Sequence, residues 1–284
     1  MEKVLLHTPE GVRDVYGKEC AVKLTIENSI NKVFNIYGYH NIQTPTFEFF
    51  DIFSKERGSV ASKNLYKFFD REGNTLVLRP DVTPSIARLV AKYYMDVKVP
   101  VKLCYNANTY INNSELQGKL KENTQLGCEL INDDSVEADA EILALVVDSL
   151  KAAGLKEFLV EIGHADFYKG LLEECGFDTE NEQELRKRIE NKNYFGVEEI
   201  LDNNNITGQL KEAFLKLPEL FGSIDVIKSA KELTDNKKAV QSIERLEKLY
   251  SILEDYGVSK YISFDLGMIS NFNYYTGIIF KAYT

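Results

Sequence analysis

Val101-Lys102-Leu103-Cys104-Tyr105-Asn106-Ala107-Asn108-Thr109-Tyr110, a polar loop over 112–123, and the run 124–131 containing Gln125-Leu126-Gly127-Cys128-Glu129-Leu130 together decide the fold. Two runs of strand-forming residues joined by a long polar loop predict two neighbouring strands. Period-two alternation puts Gln125, Gly127 and Glu129 on one face of the second strand. Leu126, Cys128 and Leu130 share the other face. A face of Gln, Gly and Glu can line a polar cleft, with Gly127 leaving room for a ligand. It can equally be the solvent side of a half-exposed strand.

Upstream of this pair, Leu78-Arg79-Pro80-Asp81-Val82-Thr83-Pro84 opens a helix. Thr83 suits its N-cap and Pro84 its first turn, and the helix continues over 86–94. Helix capping is also the plain reading of Asp81 and Thr83. Segments 67–70 and 75–78 flank Arg71-Glu72-Gly73-Asn74 and predict a hairpin. Residues 42–47 give a short strand pattern broken by Pro45, which fits an edge or an interface. A helix or turn follows at 49–53. Val22, Ile26, Ile30, Val33 and Phe34 recur at helical spacing, which predicts a helix over 18–37 ended by Gly38.

Downstream, 137–153 reads as an amphipathic helix closed by Gly154, and 158–162 as a strand. Residues 165–257 are almost continuous helical pattern. Strand pattern returns at 261–266 and 274–282, around a turn at 268–273. Strands set apart by hairpins and long loops, followed by a block of helices, predict an α+β protein with an antiparallel sheet flanked by helices. The expected division is a core over 1–164, a helical insertion over 165–257 and a return to the core sheet over 258–284. With Thr284 at the end of a strand, the chain is expected to lack a final part of that sheet and a closing helix.

The 284 residues are 44% hydrophobic and carry a net charge of −10. No apolar run approaches the roughly 20 residues of a membrane helix. The acidic balance and the absence of a long basic run argue against a nucleic-acid partner. Cys20, Cys104, Cys128 and Cys175 show no CxxC spacing, so no metal site is expected and cytoplasmic thiols are the default. Neither a GxGxxG nor a Walker loop is present, and no cofactor is expected.

Three polar segments, around Asp81, Glu129 and Tyr274-Tyr275, are together similar to the catalytic domain of histidyl-tRNA synthetase, a class II synthetase. The resemblance runs from Thr8-Pro9-Glu10-Gly11-Val12-Arg13-Asp14 to Tyr274-Tyr275-Thr276-Gly277. It implies that Asp81, Thr83, Gln125, Glu129, Tyr274 and Tyr275 bind histidine. That chemistry suits the residue types, since a buried ammonium requires a carboxylate and oriented acceptors. Where the synthetases have Phe-Arg-x-Glu, this chain has Tyr110-Ile111-Asn112-Asn113, so Ile111 replaces a catalytic arginine. Where they have Arg-Gly-Leu-Asp-Tyr-Tyr, it has Ser270-Asn271-Phe272-Asn273-Tyr274-Tyr275, so Ser270 replaces another. Losing one such donor typically costs about 10²–10³ in rate. Lys119 and Lys121 are the nearby cations to check as replacements.

Leu-Arg-Pro-Asp-x-Thr-Pro and Ile162-Gly163-His164 resemble a synthetase-like subgroup, the regulatory subunits of ATP phosphoribosyltransferase. That resemblance implies a non-catalytic, cytoplasmic protein that assembles with a short-form catalytic subunit and takes part in histidine feedback. It further implies a homodimer, through 44–53, within a hetero-oligomer. A divergent histidyl-tRNA synthetase and a synthetase-like amino-acid sensor are the alternative readings.

Overall fold

The computed structural model describes residues 6–53, 60–113, 118–269 and 275–284. Two compact units emerge, one of residues 1–133 with 148–154 and one of 134–147 with 155–284.

The first unit opens with helix α1 (Gly17–Ile36). Gly38, at φ 81°, stops it, and Tyr39 N–H reaches back to the Phe34 carbonyl at 3.0 Å. The helix forms as its periodicity predicts, but only Phe34 of its apolar stripe is buried. Val22 and Ile26 are exposed. Glu27 instead turns toward the sheet, taking a hydrogen bond from Asn106 Nδ2 at 2.9 Å.

Strands β1 (His40–Asn41), β2 (Phe47–Phe49), β3 (Lys67–Phe69), β4 (Thr75–Leu78), β5 (Val101–Tyr110) and β6 (Glu122–Ile131) make two sheets, ordered β1-β5-β6 and β2-β4-β3. β1 runs parallel to β5, and the other pairs are antiparallel. β5 and β6 pair without a bulge from Val101 opposite Ile131 to Tyr110 opposite Glu122. The strand expected over 42–47 does not form: β1 ends at Asn41, β2 begins at Phe47, and residues 42–46 between them are not strand. The Arg79 guanidinium takes the carbonyls of Thr44 and Pro45, at 2.8 and 3.2 Å, and Pro45 has no N–H for a ladder. The β3–β4 hairpin forms where Glu-Gly-Asn predicts it. Asp70 organises its turn by accepting from the N–H groups of Glu72 and Asn74, at 3.0 and 2.8 Å.

Helix α2 (Thr83–Tyr93) covers one face of the β5–β6 pair. Val82, Ile86, Val101, Leu103 and Tyr105 form the core between them, with Leu89 and Ile131 at its edge. A second core joins Phe53, Leu65 and Val77. The apolar run after Pro45 therefore divides, since Phe53 is buried while Phe47 and Phe49 are exposed.

Helix α3 (Val136–Ala152) contributes residues to both units. The second unit holds a four-stranded sheet of β7 (Leu159–His164), β8 (Phe221–Gly222), β9 (Ile262–Asp265) and β10 (Ile278–Tyr283), in the order β10-β7-β9-β8. β7 and β9 are parallel, while β10–β7 and β8–β9 are antiparallel. Six helices fill 165–255: α4 (Ala165–Cys175), α5 (Thr179–Glu190), α6 (Tyr194–Asn203), α7 (Gly208–Lys216), α8 (Asp225–Glu232) and α9 (Lys237–Asp255). α9 buries Ala239, Ile243, Leu246, Leu249 and Leu253, a three-and-four spacing that gives it one apolar stripe. Among the described residues, no helix is long and apolar enough to cross a membrane.

Candidate functional site

The first unit gathers a small acidic cluster where the N-terminus of α2 meets β6. The start of α2 differs from the sequence expectation. Val82 is its N-cap and offers no side-chain cap, and Pro84 falls in the first turn. Thr83 does not cap, because its hydroxyl donates to Glu129 Oε1 at 2.7 Å. Asp81 takes over the local role. Its Oδ1 accepts from the N–H of Val82 at 2.7 Å and, more weakly, from that of Thr83 at 3.4 Å. The structure thus brings Asp81, Thr83 and Glu129 together, from two elements 46 residues apart along the chain. Gln125 shares their strand face by alternation, but it is exposed at the solvent end.

Tyr105 is the member that sequence reasoning missed. It lies directly opposite Gly127 in the β5–β6 ladder and is buried. A Cβ on Gly127 would lie 2.3 Å from the Tyr105 hydroxyl oxygen. The space that the glycine was expected to leave for a ligand therefore holds the Tyr105 phenol. Strand alternation could have placed Tyr105 on the correct face. Only the register places it over the glycine.

The electrostatics follow from this crowding. Burial pushes the Glu129 carboxyl above the usual carboxylate range. The charge of Asp81 adds to the rise, and the Thr83 hydroxyl offsets part of it. Burial, then the charges of Glu129 and Asp81, push the Tyr105 phenol up as well, against a hydrogen bond from Thr83. Among the described residues, no cation is paired with Asp81 or Glu129. The cluster can accept a cationic donor such as an ammonium or imidazolium.

Ile111 follows β5, and its N–H donates to the Lys121 carbonyl at 2.9 Å. Its side chain supplies no charge. Of the two candidate replacement cations, Lys119 is exposed. The stem of Lys121 lies against Gly11, where a Cβ would meet Lys121 Cγ at 2.6 Å. Arg79 is buried, with Nη1 donating to the carbonyls of Thr44 and Pro45 and Nε to that of Asn108, the last at 2.7 Å. It fixes the loop before Asp81 to the end of β5.

Tyr275 belongs to the second unit, where it lines a cavity of about 390 Å³ with Tyr168, Lys169, Arg186 and Met268. Its carbonyl accepts from Lys169 Nζ at 2.6 Å. Tyr274 and Ser270 lie outside the described residues. His164 ends β7 and caps α4, with Nδ1 accepting from Asp166 N–H at 3.2 Å. Burial lowers its pKa to about 4.

Comparison with known proteins places this arrangement. A family profile described as histidyl-tRNA synthetase matches residues 11–284. The ATP phosphoribosyltransferase regulatory subunit of Ruminiclostridium cellulolyticum is 46% identical over 284 residues, which cover 100% of this chain and 68% of the relative. The chain belongs to the ATP phosphoribosyltransferase regulatory subunit family. A crystal structure described as an ATP phosphoribosyltransferase regulatory subunit/histidyl-tRNA synthetase, from Bacillus halodurans, is 36% identical with a TM-score of 0.89. It is matched over 98% of this chain and 73% of its own. An ATP phosphoribosyl transferase (HisG:HisZ) complex from Thermotoga maritima shares the fold at 20% identity, with a TM-score of 0.68 over 91% of this chain and 86% of its own. The class II synthetase-like α+β fold expected of the regulatory-subunit family is thus the fold observed.

Proposed function

We propose that this chain is a cytoplasmic, non-catalytic subunit that assembles with a short-form ATP phosphoribosyltransferase catalytic chain and carries its histidine feedback. Membership of the regulatory-subunit family supports the assembly. One observation carries the sensing role. Glu129 is half-buried, held by Thr83 at 2.7 Å beside Asp81, with no cation paired to either carboxylate among the described residues. Two acids held close together without a counter-charge favour a ligand that brings one. Histidine carries an ammonium and an imidazole that can supply it. Gln125, Tyr274 and Tyr275 are proposed as further histidine-binding residues, as the synthetase resemblance implies. Ile111, where the synthetases have an arginine, leaves the ligand carboxylate and any ATP phosphate without that partner.

We further propose that the helical block 165–257 is an insertion into the class II core, and that the chain pairs with a second copy. Exposed Val22 and Ile26 on α1 and exposed Phe47 and Phe49 on β2 supply the apolar surface for that pairing. Calorimetric titration with histidine tests the sensing role. The native chain is expected to bind and Glu129→Ala to lose at least tenfold in affinity. Unchanged binding in the variant removes Glu129 from the site.

A further inference from the structure

Cys104 on β5 and Cys128 on β6 stand directly opposite each other in the ladder. The ladder also fixes what kind of pair they are. Ile111 N–H donates to the Lys121 carbonyl, so residues 111 and 121 form a hydrogen-bonded pair that continues the same register. Hydrogen-bonded and non-hydrogen-bonded pairs alternate along an antiparallel ladder. The register is unbroken from Tyr110 back to Val101, and Cys104 is seven residues before Ile111. Cys104 and Cys128 are therefore a non-hydrogen-bonded pair, the kind in which side chains come closest. Its Cα atoms stand about 4.5 Å apart, within the roughly 4.4–6.8 Å that a disulfide spans. Both side chains point to the same face of the sheet.

None of the four cysteines is in a disulfide. Cys104 is completely buried, and its thiol donates weakly to Asn41 Oδ1 at 3.5 Å. Cys128 is half-buried. Cys20 lies in α1 and Cys175 in α4, so neither has a cross-strand partner.

We propose that Cys104 and Cys128 are a modification site, an oxidisable dithiol that closes to a cross-strand disulfide when the protein meets a peroxide. Cys128 reacts first, because it is the accessible member and burial holds the Cys104 thiol above its usual range. Its sulfur attacks one peroxide oxygen, giving a sulfenic acid and releasing the other oxygen as water. The Cys104 sulfur then displaces that hydroxyl. A second water leaves, and the S–S bond forms. The two sulfurs lose two electrons, which reduce one peroxide to two waters. Closure turns the Cys104 sulfur away from Asn41 toward β6. The bond forms between residues adjacent to Tyr105 and Glu129, on the opposite face of the strands that carry the acidic cluster. The site does not depend on the proposed histidine role.

Reduced full chain, exposed to graded hydrogen peroxide, alkylated and digested without reductant, tests this by peptide mapping. The expected result is loss of two of the four alkylatable thiols, a linked peptide pair containing Cys104 and Cys128, and recovery of both thiols with dithiothreitol. Cys128→Ser is expected to abolish the linked pair. Cys104→Ser is expected to leave a sulfenic acid on Cys128 that dimedone captures. The native-chain mapping stands without either variant should the buried serine impair folding. Four alkylatable thiols at every peroxide dose, or a bond involving Cys20 or Cys175 instead, would overturn the proposal.

Discussion

Glu129 is where stability and ligand recognition oppose each other. Its pKa is raised in the folded chain, first by burial and then by Asp81. The folded state therefore binds the Glu129 proton more tightly than the unfolded state does. The cost of ionising it is absent below the unfolded value of about 4.3 and fully present once the pH exceeds the folded value. Glu129→Gln keeps an acceptor for Thr83 and removes the charge. Thermal unfolding of the ligand-free variant is expected to show a higher Tm than the native chain near neutral pH. The gain should shrink toward pH 4. A variant less stable than the native chain at neutral pH would contradict this electrostatic account. The same substitution is expected to weaken histidine binding, because the uncompensated charge is what the ligand answers. Thr83→Val should act in the same direction on binding, since it removes the hydroxyl that holds Glu129 in place.

Among the elements, the β5–β6 pair and the β7–α4 junction each carry a prediction. Gly127→Ala puts a Cβ 2.3 Å from the Tyr105 hydroxyl oxygen. Overpacking of this kind costs about 1–3 kcal/mol, read as a lower midpoint in denaturant unfolding. A second change, Tyr105→Leu, should recover much of the loss, and no recovery would mean that the ring is not the obstacle. At the β7–α4 junction, His164 has a pKa lowered to about 4 by burial. A histidine whose folded pKa lies below its unfolded value stabilises the neutral form. That stability is present above about pH 6.5 and is lost as the pH falls toward the folded value. His164→Asn keeps a capping side chain and should flatten the pH dependence of stability between pH 6.5 and 4. An equally steep dependence in the variant would assign it to other groups.

The elements also mark what was legible in the sequence. The 67–78 hairpin could be read because Glu-Gly-Asn is a turn with a mechanism, and α2 because Pro84 suits only a first turn. The face shared by Gln125, Gly127 and Glu129 followed from alternation. Register did not follow, because a period of two names the face and not the opposite residue. Tyr105 over Gly127 and Cys104 opposite Cys128 both depended on it. The 42–46 segment looked like strand because nothing local reveals that a distant arginine, Arg79, takes its carbonyls. The stripe of α1 predicted its helix, but periodicity marks an apolar face without saying what covers it.

On the scale of the whole molecule, that stripe becomes an argument for assembly. Val22, Ile26, Phe47 and Phe49 remain exposed in the single chain. Sedimentation equilibrium is expected to give twice the chain mass for the native protein. Phe49→Asp should give the mass of one chain with unchanged far-ultraviolet circular dichroism. A native protein sedimenting as a single chain would dismiss the homodimer. The central claim concerns activity, and reconstitution tests it most directly. This chain is mixed with a short-form ATP phosphoribosyltransferase catalytic chain, and turnover is followed with and without histidine. Neither protein alone should be active, the mixture should turn over, and histidine should inhibit it less when the chain carries Glu129→Gln. A mixture no more active than the catalytic chain alone, or aminoacylation of tRNA by this chain, would contradict the account.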